Sequence, residues 1–135
     1  MFGKKKPVAK AASFGKLTLS ISGMRVTEEY EIINKDDCAE FSHYVHYCAS
    51  EGMERRLEKR AERPVEEALE LLNACGVCGW NGFCGKHPRG VLDGEMFTLE
   101  AVINGERVYA SGSQNFPRGF REFRSALYGI LNGKE

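Results

Sequence analysis

Phe97-Thr-Leu-Glu-Ala-Val-Ile-Asn-Gly-Glu-Arg-Val-Tyr-Ala-Ser111 is the stretch from which the fold is read. Phe97, Leu99, Ala101 and Ile103 alternate with Thr98, Glu100 and Val102, the period-two pattern of a strand with one buried side. Asn104-Gly105 supplies the two positive φ angles of a type I′ turn, and Arg107 to Ser111 returns as the second strand of a hairpin. A two-residue loop pairs Ile103 with Glu106, so Ala101 faces Val108 and Leu99 faces Ala110. The hairpin therefore has one apolar side, and something must cover it.

The flanking segments offer two covers. Downstream, Pro117 opens a helix whose Phe120, Phe123, Leu127, Ile130 and Leu131 form an apolar stripe, ended by Asn132-Gly133. Upstream, Pro64 suits the first helical position, and Glu66 and Glu67 complement the positive end of the dipole. Val65, Ala68, Leu69, Leu72 and Cys75 then follow helical spacing up to Gly76. The spacing predicts a helix over 64–75, followed by a glycine-rich loop to Gly94.

The first third reads as an antiparallel meander. Leu17, Leu19 and Ile21 alternate with Thr18, Ser20 and Ser22; Val26 to Ile33 is a second strand, Asn34 to Asp37 a polar turn, and Ala39 to Cys48 a third strand rich in β-branched and aromatic residues. Glu54 to Arg63 has helix-favouring composition but an alternating pattern, so periodicity alone leaves it between helix and strand. The charges of that stretch face water in either form. Residues 1–14, with Lys4, Lys5, Lys6 and Lys10 and no apolar period, read as a flexible basic tail, and 15–135 as a single domain. The expected fold is α+β: an antiparallel sheet, meander plus C-terminal hairpin, with two helices on one face in the order β-β-β-β-α-β-β-α.

Composition bounds the function. At 135 residues, with 42% hydrophobic and 28% charged residues, the chain has the balance of one globular domain. Nineteen Lys plus Arg against nineteen Asp plus Glu give zero formal charge, so no global field draws in nucleic acid. No apolar run approaches the roughly 18 residues that span a bilayer, and Met1 to Pro7 leads into no apolar signal region. No membrane association is expected, and the expected address is the cytoplasm.

Trp80-Asn-Gly-Phe83, Val91-Leu-Asp-Gly94 before Phe97-Thr-Leu99, Ala110-Ser-Gly112, Pro117, Gly119-Phe120 and Phe123 form a recognisable pattern. In these residues the chain resembles a family of small bacterial proteins with a Trp-Asp/Asn-Gly-Phe loop after a helix, a Leu-Asp-Gly turn before a hairpin, and glycine then proline ahead of the final helix. The resemblance covers residues 64–131 well and the meander only by strand pattern. It implies an α+β fold in which residues 55–62 form a strand, and it implies no activity, cofactor or catalytic residue. Physically, Trp80 and Phe83 can fold back over the open end of a core, while Gly82 and Asp93-Gly94 make turns. The functional reading of the same residues is a ligand-binding loop in which Trp80, Asn81 and Asp93 meet the ligand.

The second chemical lead is Cys75-x2-Cys78-x5-Cys84-x2-His87, four potential zinc ligands on a loop that glycines 76, 79, 82 and 85 allow to turn. The spacing is not that of a standard zinc finger or ribbon, the cysteines are not part of the family pattern, and Cys75 also continues the apolar helix stripe. A Cys-x-x-Cys redox role is disfavoured because Cys75 falls at the negative end of its helix dipole. His43 and His46, three apart on a strand, point to opposite faces. Arg118, Arg121 and Arg124 read as a solvated helix face interrupted by Glu122. The first reading is thus a non-enzymatic cytosolic module that contacts a protein or a small ligand, with no cofactor expected and a homodimer through a sheet edge or the uncovered face as one arrangement. The runner-up is a small zinc module. An enzyme whose site is assembled from residues distant in sequence is the third.

Overall fold

A computed structural model describes residues 10–23, 26–90 and 94–133. The strands are β1 (Phe14–Ser22), β2 (Thr27–Asn34), β3 (Ala39–Ala49), β4 (Gly52–Arg63), β5 (Cys84–Gly85), β6 (Met96–Ile103) and β7 (Glu106–Ser113); the helices are α1 (Val65–Cys75) and α2 (Phe120–Leu131). They make one sheet in the order β4-β3-β2-β1-β6-β7-β5. Residues 55–62 lie within β4, as the resemblance implies. The alternating pattern prevails over helix propensity there because β4 pairs with β3 from Gly52 to Arg63, with one bulge at Glu58.

The register explains the core. Ile103 pairs with Glu106, Ala101 with Val108 and Leu99 with Ala110, as the Asn104-Gly105 turn requires. Leu17 stands between Ile32 and Ala101, and Leu19 between Tyr30 and Leu99, so apolar rows cross the centre of the sheet on one side. Onto these rows α1 presents Ala68, Leu72 and Cys75, and α2 presents Phe120, Phe123, Leu127 and Leu131, all in a single buried cluster. Each helix is too short to be stable alone, and burying these stripes is what holds it.

Three expectations are corrected. The sheet is mixed rather than purely antiparallel, because the short β5 runs parallel to β7, with Cys84 beside Ser111 and Gly85 beside Gly112. The preceding loop is already bonded along β7, so the chain enters this position in the direction of β7. Second, α2 starts at Phe120 rather than Pro117. Gly119, at φ +91°, redirects the chain where any Cβ would collide with the Cys75 carbonyl, and only after it does the helix begin.

Third, the tail does not extend to residue 14. Residues 1–9 lie outside the described residues, but Ala11 is buried and Phe14 opens β1. Two asparagines fasten this segment. The Asn73 side chain accepts from the Ala11 N–H at 2.7 Å and donates to its carbonyl at 3.1 Å. Asn104, the hairpin-turn residue, accepts from Ala12 and Ser13 and donates to the Lys10 carbonyl.

Phe123 is 0% and Leu127 1% exposed at the centre of the α2 stripe. Phe123→Ala should cost about 3–5 kcal/mol and Leu127→Ala about 2–5 kcal/mol in urea melts. Losses below about 0.5 kcal/mol would show that the stripe is not core.

Candidate functional site

The loop after α1 is built around Trp80. Gly76 ends α1 at φ +70°, and a single 3-10 turn, Val77–Trp80, carries Trp80 into the core at 3% exposure. Its indole N–H donates to the Arg118 carbonyl at 2.9 Å, and its ring meets Phe123 edge-on with centroids 5.6 Å apart. The next residues are sealed to the outer edge of β7. Asn81 Oδ1 accepts from the Tyr109 N–H, Gly82 N–H donates to the Tyr109 carbonyl, and Ser111 N–H donates to the Phe83 carbonyl. Gly82 sits at φ +87°, which permits the turn.

Between the end of α1 and the start of α2 this leaves a groove of about 640 Å³, a size that suits a small ligand. Trp80, Phe83 and Phe116 give it apolar walls, while Asn73, Arg118 and Glu122 supply polar groups. No buried side-chain nitrogen or oxygen lacks a partner among the described residues. A ligand's polar end would therefore meet Arg118 and Glu122 at the rim rather than a buried group. Of the residues expected in a binding loop, Trp80 lines this groove, Asn81 does not, and Asp93 lies outside the described residues.

The cysteine segment spreads out. Cys75 is buried at the end of α1, Cys78 is half-buried in the 3-10 turn and Cys84 is exposed on β5, while His87 Nδ1 lies 2.8 Å from Ser113 Oγ. Among the described residues no three His, Cys, Asp or Glu side chains are grouped to hold a metal. Burial, with the Glu122 carboxylate adding to it, pushes the Cys75 thiol up, and burial does the same to Cys78. Thiols held protonated are weak nucleophiles.

A second polar cluster sits where β2 and β3 meet α2. Tyr30 and His43 stack with ring centroids 4.6 Å apart. Glu28 accepts from the Tyr30 hydroxyl at 3.1 Å, lies 3.1 Å from His43 Nε2 and faces Arg124 at 3.5 Å; Arg124 also grips both carboxylate oxygens of Glu95. Arg124 is thus a strap from α2 to β2 and to the start of β6, not part of a solvated face. Part of this cluster has a local signal: a turn that pairs Asn34 with Ala39 also pairs Tyr30 with His43. Glu95 and Arg124 carry no such signal, since only folding brings them together. His46, on the opposite face from His43, lies 2.7 Å from Glu29, which Arg55 binds through two nitrogens.

Compared with known proteins, the chain matches no family model and no curated protein. No helix is long and apolar enough to cross a membrane among the described residues.

Burial, reinforced by Glu28, pushes the Tyr30 phenol up to about 12 from 10.0. A group raised on folding stabilises fully below its unfolded pKa, and the contribution is lost as pH climbs through the folded value. Urea stability of the wild type should therefore fall between about pH 10 and 12, and Tyr30→Phe should show a shallower fall. Equal slopes would mean that this phenol ionises alike in both states.

Proposed function

We propose that the chain is a non-enzymatic cytoplasmic binding module that holds a small, partly aromatic ligand in the groove between α1 and α2. The observation that carries the reading is the groove itself, an apolar pocket over Trp80 with a cation and an anion at its rim. Aromatic walls supply most of the contact area of such a site, and a few polar groups fix orientation. Arg118 suits a carboxylate on the ligand, while Glu122 discriminates against a second negative charge on its own side. The ends of the Trp80 to Phe83 loop, which carries the resemblance to a bacterial family, both border this groove and favour the same location.

Phenylpropionate is a suitable probe. Titrated into labelled protein, it should shift the Trp80 indole resonance and the amides of 116–122, and Arg118→Ala should weaken it by about tenfold, the cost of one charge-assisted contact. Shifts confined to other surfaces, or none at millimolar probe, would overturn the reading. The zinc reading rests on four ligand-type residues, Cys75, Cys78, Cys84 and His87, within one glycine-rich stretch. One zinc per chain in protein purified without a chelating tag, lost in Cys78→Ser and Cys84→Ser, would put it first.

A further inference from the structure

The two edges of the sheet are treated differently. On the β7 side, β5 and the bonds from Asn81 and Gly82 occupy the edge. On the other side β4 is the last strand among the described residues, and residues 52–60 are all exposed. Long open edges invite strand pairing, and charges or bulges on them ordinarily discourage it. Here β4 carries both, and both favour one arrangement. We infer that β4 is a homodimer edge, pairing antiparallel with β4 of a second copy about a two-fold axis between Glu58 and Lys59.

The bulge sets the geometry. Lys59 stands opposite His43 and Leu57 opposite Tyr44, so Glu58 is the extra residue. Beyond it, Arg60 reaches Ser42 and Tyr44 on the uncovered face, the same face on which Arg55 lies over the Tyr44 ring. Ala61, on the other face, packs against the core. Residues 55 and 57 on one side of the bulge therefore share a face with 60 and 62 on the other. Directly opposed residues in an antiparallel pair must share a face. In an unbulged strand a residue cannot pair with one of opposite parity in a symmetric copy; the bulge makes such a register possible across its centre.

That register is also the one the charges select. With the axis between 58 and 59, Glu54 opposes Arg63 of the second copy, Arg55 opposes Glu62, Arg56 opposes Ala61, Leu57 opposes Arg60 and Glu58 opposes Lys59. Every pair of charges is unlike, and each occurs twice by symmetry. A shift of the register by two residues either way sets Arg55 against Arg60 or Arg56 against Arg63. Unlike cross-strand pairs stabilise a sheet and like pairs destabilise it, so the pattern specifies register as well as attraction. The joined sheet would run continuously through both copies, with the backbone groups of both edges satisfied.

Charge exchange at the axis tests this directly. Lys59→Glu sets Glu58 against a glutamate twice, and Glu58→Lys sets Lys59 against a lysine twice. Light scattering should give the wild type twice the 15.1 kDa chain mass, and each single variant should dissociate at least about tenfold more readily. An equimolar mixture of the two variants should form a heterodimer, because at the axis two carboxylates of one chain then meet two ammonium groups of the other. Unchanged far-UV circular dichroism keeps a folding defect from mimicking dissociation. A monomeric wild type at millimolar concentration, single variants that remain dimeric, or a mixture that forms no heterodimer would each overturn the inference.

Discussion

Trp80 is where three parts of the protein are held together. Its ring fills the space beside Phe120 and Phe123 of α2, its indole N–H holds the Arg118 carbonyl just ahead of that helix, and the turn that carries it follows directly from α1. The loop beyond it is bonded to Tyr109 on β7. An indole buried this far needs a partner for its single donor, and the Arg118 carbonyl provides it. The close crossing at Gly119 and Cys75 and the groove between the helices both border this one side chain.

On the β1 to β4 part of the sheet's uncovered face, side chains of neighbouring strands pair with one another. Arg55 and His46 converge on Glu29, Arg60 spans Ser42, Tyr44 and Glu40, and Lys16 meets Glu31. Arg55 is the first cause of the lowered Glu29 pKa, ahead of the opposing effect of burial. Partly exposed pairs of this kind contribute little stability individually. Their larger effect is to seat Arg60 over Ser42, which is buried although no helix packs on it among the described residues. A formally neutral chain is in this way locally organised into complementary charges.

Both clusters of aromatic and polar groups sit against α2, and the two differ in kind. Around Tyr30 the phenol, His43 and Arg124 all find carboxylates within the protein, which makes the cluster a clasp. Around Trp80 the indole donor is likewise satisfied, but the packing leaves space beside it. Arg124 shows how a surface-patterned helix residue becomes structural: from α2 it reaches a carboxylate on β2 and another at the start of β6.

The local elements are legible in the order of the amino acids. Alternation over Leu17–Ile21 and Phe97–Ile103, the Asn104-Gly105 turn and the stripes of α1 and α2 are written in patterns of two to seven residues, because side-chain direction repeats on that scale. The hairpin register followed from its turn alone. Other features arise between segments far apart in the chain and exist only once it has folded. The strand form of 54–63 depended on β3 lying beside it, the parallel β5 on a loop bonded to β7, and the order of Ala11 on amides at Asn73 and Asn104. The groove is the same kind of feature, formed by Asn73–Gly76 and Phe116–Gly119 only when both helices pack on one sheet. Cys75, Cys78, Cys84 and His87 are close in sequence, and folding distributes the three cysteines over a helix end, a 3-10 turn and an edge strand that differ in burial. Adjacency along a chain sets which groups are near; direction, which packing imposes, sets which of them can meet.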